Sequence, residues 1–398
     1  MEEREHAILS ASSAHRWLSC TPSARLELEE DTSECSVYAE EGTAAHALAE
    51  LKLSHVFGKI SDKEYTDEYI EYLKDDRYSK YYTKELEEYV DTHVEYVKEI
   101  VKDLKDFHIY FEVRVNFSNV VPQGFGTADV LIVTEDTIHI VDLKFGVGVP
   151  VSAVNNPQLR LYAMGAMNLF PNTKFVKMTI NQPRLDNKDT EVLTKEELLK
   201  WAFEYVKPRA EAAIKGEGKF NPTDSACKFC KLKGKCRARA DMNLEIAKQE
   251  FQIASREDSV MSLSTDQLSK ILELAPKFES WFKDVQSFAL GQLMRGVKIP
   301  GFKLVEGRST RVITDEEKVK EILLSIGLKE DDILKPRELL GISRLESLVG
   351  KKLFADLCKD YLIKPVGKLT LAPESDRRPG VSTIEIAKSD FNEPIETK

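Results

Sequence analysis

The chain has 398 residues, with 57 Lys and Arg against 67 Asp and Glu for a formal charge of −10, and 42% of its residues are hydrophobic. That length suggests two or three domains with a real core, while the acidic balance excludes a molecule drawn as a whole to an anionic polymer, so any attraction to nucleic acid must come from a local patch. The apolar runs are too short to span a bilayer, and the charged start MEEREHAILS lacks the apolar region of a secretory signal, so a cytoplasmic protein with no membrane partner is expected.

In chain order, helical spacing is read at 12–19, 41–57, 61–75 and 80–106. Strands follow at 109–117, 125–133 and 137–144. A helix over 155–170 has clear start chemistry, with Asn156 as N-cap and Pro157 in the first turn. Residues 174–181 read as a fourth strand and 194–215 as another helix. The order α, β, β, β, α, β, α suits an α/β sandwich around a mixed sheet.

Beyond residue 240 the pattern changes. An apolar stripe from Leu268 to Phe288 runs along a helical stretch at 264–296, interrupted at Pro276, and is expected to pack against core or partner. A small hairpin is expected at 301–313, short helices over 315–360, and an extended or disordered tail from about 371. The division expected is therefore 1–240, a mainly helical 241–370, and a tail at 371–398.

Six cysteines in a cytoplasmic chain of this length do not suggest disulfides. Cys20, Cys35 and Cys358 are scattered, whereas Cys227, Cys230 and Cys236 fall within ten residues. Around them, KFCKLKGKCRAR carries Lys228, Lys231, Lys233, Lys235, Arg237 and Arg239 with no acid, a candidate contact for phosphates.

The segment TIHIVDLKFG at 137–146 places an acid and an amine at the end of an apolar strand. If Glu135–Asp136 is the turn of a hairpin, Thr134 pairs with Thr137 and Asp129 lies opposite Asp142. Such side chains sit roughly 5 Å apart on one face, and Lys144 shares that face. Two facing carboxylates without a counter-charge are destabilising. Lys144 alone could offset them as a structural ion pair. A hard divalent cation answers better, because Mg²⁺ takes oxygen ligands and commonly one or two carboxylates. Lys144 is then available to hold a water or to stabilise charge on a phosphate.

Asp129 followed by Asp142-Leu143-Lys144 resembles the D…(D/E)-x-K signature of the PD-(D/E)XK nuclease superfamily. Gln158 and Tyr162, four residues apart on one helix face, match the Q-x-x-x-Y motif of its RecB-like branch, and His46 in EEGTAAHALAE is similar to that branch's G-x-x-x-H helix. Cys20 followed far downstream by Cys227, Cys230 and Cys236 resembles the iron–sulfur members, the AddB-type recombination and CRISPR-adaptation nucleases. The resemblance covers about residues 8–240. The C-terminal part looks like an uncharacterised family of phage and prophage proteins.

The resemblance implies an α/β fold with a restriction-endonuclease-like core, a central mixed sheet flanked by helices, joined to the mainly helical C-terminal region. It implies that His46, Asp129, Asp142 and the Leu143 carbonyl bind Mg²⁺ or Mn²⁺, that Lys144 orients the attacking water, and that Gln158 and Tyr162 position the strand. Asp142 stands where Glu is commoner, which shortens the reach to the metal, and Glu112 is a further acid near it. A [4Fe–4S] cluster on Cys20, Cys227, Cys230 and Cys236 is implied, with Zn²⁺ as the alternative. Cys35 is a substitute for Cys20, and Cys358 reads as a buried apolar residue. The implied activity is DNA cleavage, as an exonuclease, in phage recombination, replication or end processing. The partners are single-stranded DNA or duplex ends, with phage recombination or single-strand-binding proteins. No G-x-x-x-x-G-K-[ST] motor motif is present. The rival reading is an iron–sulfur or zinc module that holds DNA or a recombination partner without cutting. Intact Asp129, Asp142 and Lys144 argue against it. Iron–sulfur electron transfer is weaker still, since no flavin or nicotinamide motif accompanies the cysteines.

Overall fold

The computed structural model describes residues 7–30, 37–254 and 265–303. Cys35, Cys358 and the elements expected beyond residue 303 lie outside these. The chain divides into two compact units, Met1–Leu263 with Pro276–Leu304, and Ser264–Ala275 with Val305–Lys398. The first therefore runs past residue 240. One reason is that Arg239 Nη1 donates to Asp284 Oδ2 at 2.7 Å and to the Lys233 carbonyl at 3.0 Å.

Among the described residues, six helices precede the sheet: α1 (Ala14–Ser19), α2 (Thr21–Glu27), α3 (Val37–Val56), α4 (Asp62–Lys74), α5 (Asp76–Ser79) and α6 (Lys84–Val101). Their starts are locally encoded. Ser61 and Glu64 close a capping box on α4, and the Thr83 hydroxyl caps α6 by accepting from Leu86 N. Leu86, Val90, Val94, Val97 and Val101 then bury one face of α6 at helical spacing.

The sheet has five strands in the order β1-β2-β3-β4-β5: β1 (His108–Asn116), β2 (Phe125–Val133), β3 (Thr137–Leu143), β4 (Phe175–Gln182) and β5 (Asn187–Thr194). Only β3 and β4 are parallel, joined across α7 (Pro157–Leu169), so the sheet is mixed as expected. The Asn156 side chain caps α7, accepting from Gln158 N at 3.0 Å and Leu159 N at 3.3 Å. The sequence pattern does not reveal β5. It is an edge strand carrying Lys188, Asp189 and Glu191, and charge on an edge blunts aberrant pairing while hiding the strand from a hydropathy reading.

One helical run, expected at 194–215, is built as α8 (Lys195–Lys200), a π-helical turn (Trp201–Val206) and α9 (Lys207–Lys215). Then come α10 (Asp224–Lys228), α11 (Arg237–Ala254) and α12 (Thr265–Met294). Pro276 lies inside α12 and does not interrupt it.

Two cores flank the sheet. One joins β-strand side chains to α1, α2, α7 and α9, and the other joins them to α3 and α6. At Gly165 of α7 an added Cβ would lie 2.8 Å from Val115 Cβ, so the glycine sets how closely that helix approaches β1. Strand alternation breaks at one place. Ile109 and Phe111 of β1 face the α3–α6 core, whereas Val113 and Val115 face the α7 core. β2 changes over in the same way between Val130 and Ala128. Between them, Glu112 adopts φ 46. A residue in the left-handed region reverses the period-two pattern and costs about 1–3 kcal/mol, strain that is characteristic of functional sites.

Candidate metal centre and cysteine corner

The β2–β3 hairpin has the register read from the sequence. Val130 pairs with Val141 and Val133 with Ile138, and Thr134 N donates to the Thr137 carbonyl at 2.9 Å. Asp129 and Asp142 come next in that register. The ladder stops before them, and Leu143 N donates to Asp129 Oδ2 at 2.7 Å, a side chain standing in for a strand carbonyl. On its other side, Asp129 falls opposite Glu112, between the pairs Phe111–Val130 and Val113–Ala128. The strands thus part where the chain places its acids.

Around this parting the sequence candidates converge. His46 Nδ1 on α3 lies 3.3 Å from Asp129 Oδ2. Lys144 Nζ lies 2.9 Å from Asp142 Oδ2 and donates to Gln158 Oε1 at 3.2 Å. Gln158 Nε2 reaches the Tyr162 hydroxyl at 3.1 Å and Asp142 Oδ1 at 3.3 Å. Gln158 and Tyr162 therefore buttress Asp142 and Lys144 from α7. Space for Tyr162 is made by Gly126, where an added Cβ would lie 2.6 Å from the ring.

The electrostatics follow from burial and proximity. Burial alone would lower the His46 pKa, but Asp129, with help from Asp142, raises it to about 9. Burial would raise Asp129, and the His46 imidazolium outweighs it and lowers it. Asp142 is raised, by burial first and by Asp129, against the pull of Lys144. Burial works against charge on Lys144, yet Asp142 and Asp129 raise its pKa, so it remains an ammonium. Burial, then Asp129, pushes Glu112 up to about 7.

These residues fit a hard cation. Ligand atoms of His46, Glu112 and Asp129 lie within 4.8 Å of one another, the only such group of three or more among the described residues. Asp142 stands outside that group. Its Oδ2 is buried with no hydrogen-bond partner among the described residues, because the approach of Lys144 has ion-pair distance without hydrogen-bond geometry. A mixed carboxylate–imidazole set with a spare buried carboxylate oxygen suits Mg²⁺ or Mn²⁺.

β5 supplies residues that sequence reasoning missed. Asp189 Oδ2 accepts from Ser152 Oγ at 2.6 Å and Ala153 N at 2.8 Å, and Glu191 accepts from Asn155 N at 3.0 Å and from Arg160 at 2.6 and 2.9 Å. Together they clamp the loop that joins Lys144 to Gln158. Their alternation along 187–194 was the available signal, obscured by charge.

The second cluster lies at the cysteine corner. Cys20 sits between α1 and α2, Cys227 in α10, Cys230 after it and Cys236 before α11. All four are free thiols lining one small, mainly apolar cavity. The distant chain segments are stitched together there. Glu27 pairs with Arg16 at 2.5 Å and accepts from Lys231 N at 2.8 Å, and the Thr21 hydroxyl donates to the Glu217 carbonyl at 2.6 Å. Burial raises the pKa of Cys227 and pushes that of Cys230 up to about 12, so these thiols keep their protons unless a metal replaces them. The sulfurs share the cavity, but no three lie within 4.8 Å of one another.

The basic residues between them divide into two sets. Lys233 pairs with Asp284 at 3.0 Å, Lys235 with Glu30, Arg237 with Asp241 at 2.7 Å and Arg239 with Asp284 at 2.7 Å. Lys228 and Lys231 are exposed and have no carboxylate partner among the described residues. Among the described residues, no helix is long and apolar enough to cross a membrane.

A solved structure titled "Crystal structure of SSO0001" is similar at 15% identity, covering 56% of this chain and 96% of that one, with a TM-score of 0.24. Residues 6–379 match the family described as "Protein of unknown function (DUF2800)", and the chain belongs to that family.

Proposed function

We propose that this protein is a metal-dependent deoxyribonuclease of the RecB-like PD-(D/E)XK type that hydrolyses phosphodiester bonds, as an exonuclease, in phage recombination, replication or DNA end processing. One observation carries the reading: the Asp142–Lys144–Gln158 hydrogen-bonded group stands beside the His46–Glu112–Asp129 donor group where two strands part. A purely structural ion pair needs neither the second donor group nor the left-handed Glu112.

In this reading His46, Glu112 and Asp129 hold Mg²⁺ or Mn²⁺, with Asp142 Oδ2 and the Leu143 carbonyl completing the protein ligands. The bound ion supplies a Lewis acid for the phosphate and lowers the pKa of water. In the metal-free site Asp142 and Asp129 hold Lys144 as an ammonium. Its ammonium orients the attacking water and offsets the charge that grows on the phosphate oxygens. Gln158 fixes the Lys144 amine by accepting from it while donating to Asp142. Tyr162 holds Gln158, so its effect on the strand is exerted through that amide.

The cysteine corner is read as the site of a [4Fe–4S] cluster on Cys20, Cys227, Cys230 and Cys236. Four thiols lining one cavity support a cysteine-bound metal, read here as the cluster, with one tetrahedral Zn²⁺ held by thiolates at about 2.3 Å as the alternative. The decisive assay presents end-labelled single- and double-stranded DNA with Mg²⁺ or Mn²⁺, against Asp142→Ala. Metal-dependent release of labelled products by the wild type alone is expected. Equal release by Asp142→Ala, or none by well-folded, metal-loaded wild type, overturns the assignment.

A further inference from the structure

We infer that Phe229, with Lys228 and Lys231, forms a stacking platform for single-stranded DNA, a deepening that rests on the nuclease reading. Phe229 lies between two cavity-lining cysteines, yet its side chain points outward and is 67% exposed. Burying a phenylalanine removes a large apolar surface from water and stabilises a fold. Here the chain leaves that gain unused on a segment anchored at both ends, by Cys227 and Cys230. The ring is also oriented: His15 meets it edge-on at 6.4 Å, and Lys228 Nζ lies 5.4 Å from its centroid.

Charge distinguishes a nucleic acid from an apolar partner. Four of the six basic residues in this segment are engaged with acids of the same chain. The two that have no such partner among the described residues are Lys228 and Lys231, immediately before and two residues after Phe229. Phe229 and Lys231 also line an open groove of about 570 Å³ shared with Arg25 and Leu28, ample for a nucleobase. Arg25 is exposed. An exposed aromatic face bordered by unpaired cations matches a base with its flanking phosphates, the combination by which single strands are bound without sequence readout. Duplex DNA keeps its bases stacked inside and offers this ring nothing. The platform therefore selects unpaired DNA.

The test measures binding, in EDTA and on Asp142→Ala protein purified anaerobically with its cysteine-bound metal, so the readout stands whether or not the protein cuts DNA. Fluorescence anisotropy with a labelled oligothymidylate is expected to show Phe229→Ala weakening binding about 5- to 100-fold, the effect of losing one stacked base. Phe229→Trp is expected to retain affinity, with its added emission quenched by the oligonucleotide. Lys231→Ala is expected to reduce the slope of log affinity against log salt by about 0.7. Because Phe229 is exposed, its replacement should leave the melting temperature unchanged. Affinity of Phe229→Ala equal to that of the parent overturns the platform, as does an equal loss on blunt duplex DNA.

Discussion

At the parting of β2 and β3, polar groups meet because neighbouring strands bring them there, and hairpin register alone carries Asp129 to Asp142. At the cysteine corner, Cys20 meets Cys236 only because α1 and α2 fold back on a segment some two hundred residues downstream. The electrostatics differ as well. The carboxylate site is charged as it stands, with His46, Asp129 and Lys144 stabilising one another's ions. In the cysteine corner, burial keeps Cys227 and Cys230 protonated. The first is therefore preorganised for a cation, whereas metal in the second must displace protons and close a long loop. In the nuclease reading proposed above, one site serves chemistry at low cost to stability and the other couples metal directly to folding.

The comparison breaks first at Lys144 and Asp142. Replacing either with Ala should lower DNA cleavage by about 100-fold or more, the scale for losing a charge-stabilising group, with circular dichroism unchanged, whereas Lys144→Ala should also lower the melting temperature because it leaves Asp129 and Asp142 facing without their counter-charge. Removal of Asp142 relieves a like-charge contact and is expected to stabilise the metal-free protein slightly. If cleavage persists, these residues are only an ion pair.

Stability should respond at the other site. Cys20→Ser should bleach a brown anaerobic preparation carrying about four irons per chain. It should also remove a cross-link whose loop constraint is about 5 kcal/mol in the chain-entropy picture. Hydrogen exchange should then rise together near 8–20 and 222–240 while Asp129 and Asp142 stay protected. A colourless protein with one zinc would replace the cluster with a zinc site.

A smaller effect follows from the titrations. In EDTA, His46 has a folded pKa of about 9 against an ordinary 6.5, so its stabilisation is complete below 6.5 and is lost as pH rises through 9. Glu112, raised from 4.5 to about 7, has the same sign, and its stabilisation is lost as pH rises through 7. Melting temperature in EDTA should therefore fall between about pH 4.5 and 9, and Mn²⁺ should offset the fall. A His46→Gln protein should keep the Glu112-linked fall below about pH 7 and lose the part above it. A flat wild-type profile would mean the site is not organised by these charges.

The mildest perturbation is steric. Gly126→Ala should displace the buried Tyr162 ring and lower turnover several-fold at an overpacking cost of about 1–3 kcal/mol, whereas Tyr162→Phe should lower turnover through Gln158 at little cost to stability. If Tyr162→Phe instead costs as much stability as a core truncation with turnover unchanged, the tyrosine is a packing residue.

Much of the metal site was legible because its spacing rules are local. Period-two alternation and a two-residue turn set Asp129 against Asp142, Asn156 and Pro157 announced α7, and helical spacing placed Gln158 beside Tyr162. The side-chain groupings were only partly legible. The expected ligand set contained Asp142, whereas the tight group is His46, Glu112 and Asp129, because the reversal at Glu112 changes which way β1 and β2 present their acids. Nor did six basic residues within 228–239 reveal that four have acids waiting in α11, in α12 and at Glu30.

By itself, then, the sequence determined the element order from β1 to β4, the hairpin register, the caps of α4, α6 and α7, and the residue types able to hold a cation or bind phosphate. Those properties depend on residues a few positions apart, where backbone geometry dictates the outcome. Tertiary structure decided the edge strand β5 and its Asp189–Glu191 clamp, the left-handed Glu112, the joining of Cys20 to the distant thiols, and which lysines remain available at Phe229. Each depends on burial and on partners far away in the chain, where packing and desolvation override local preference.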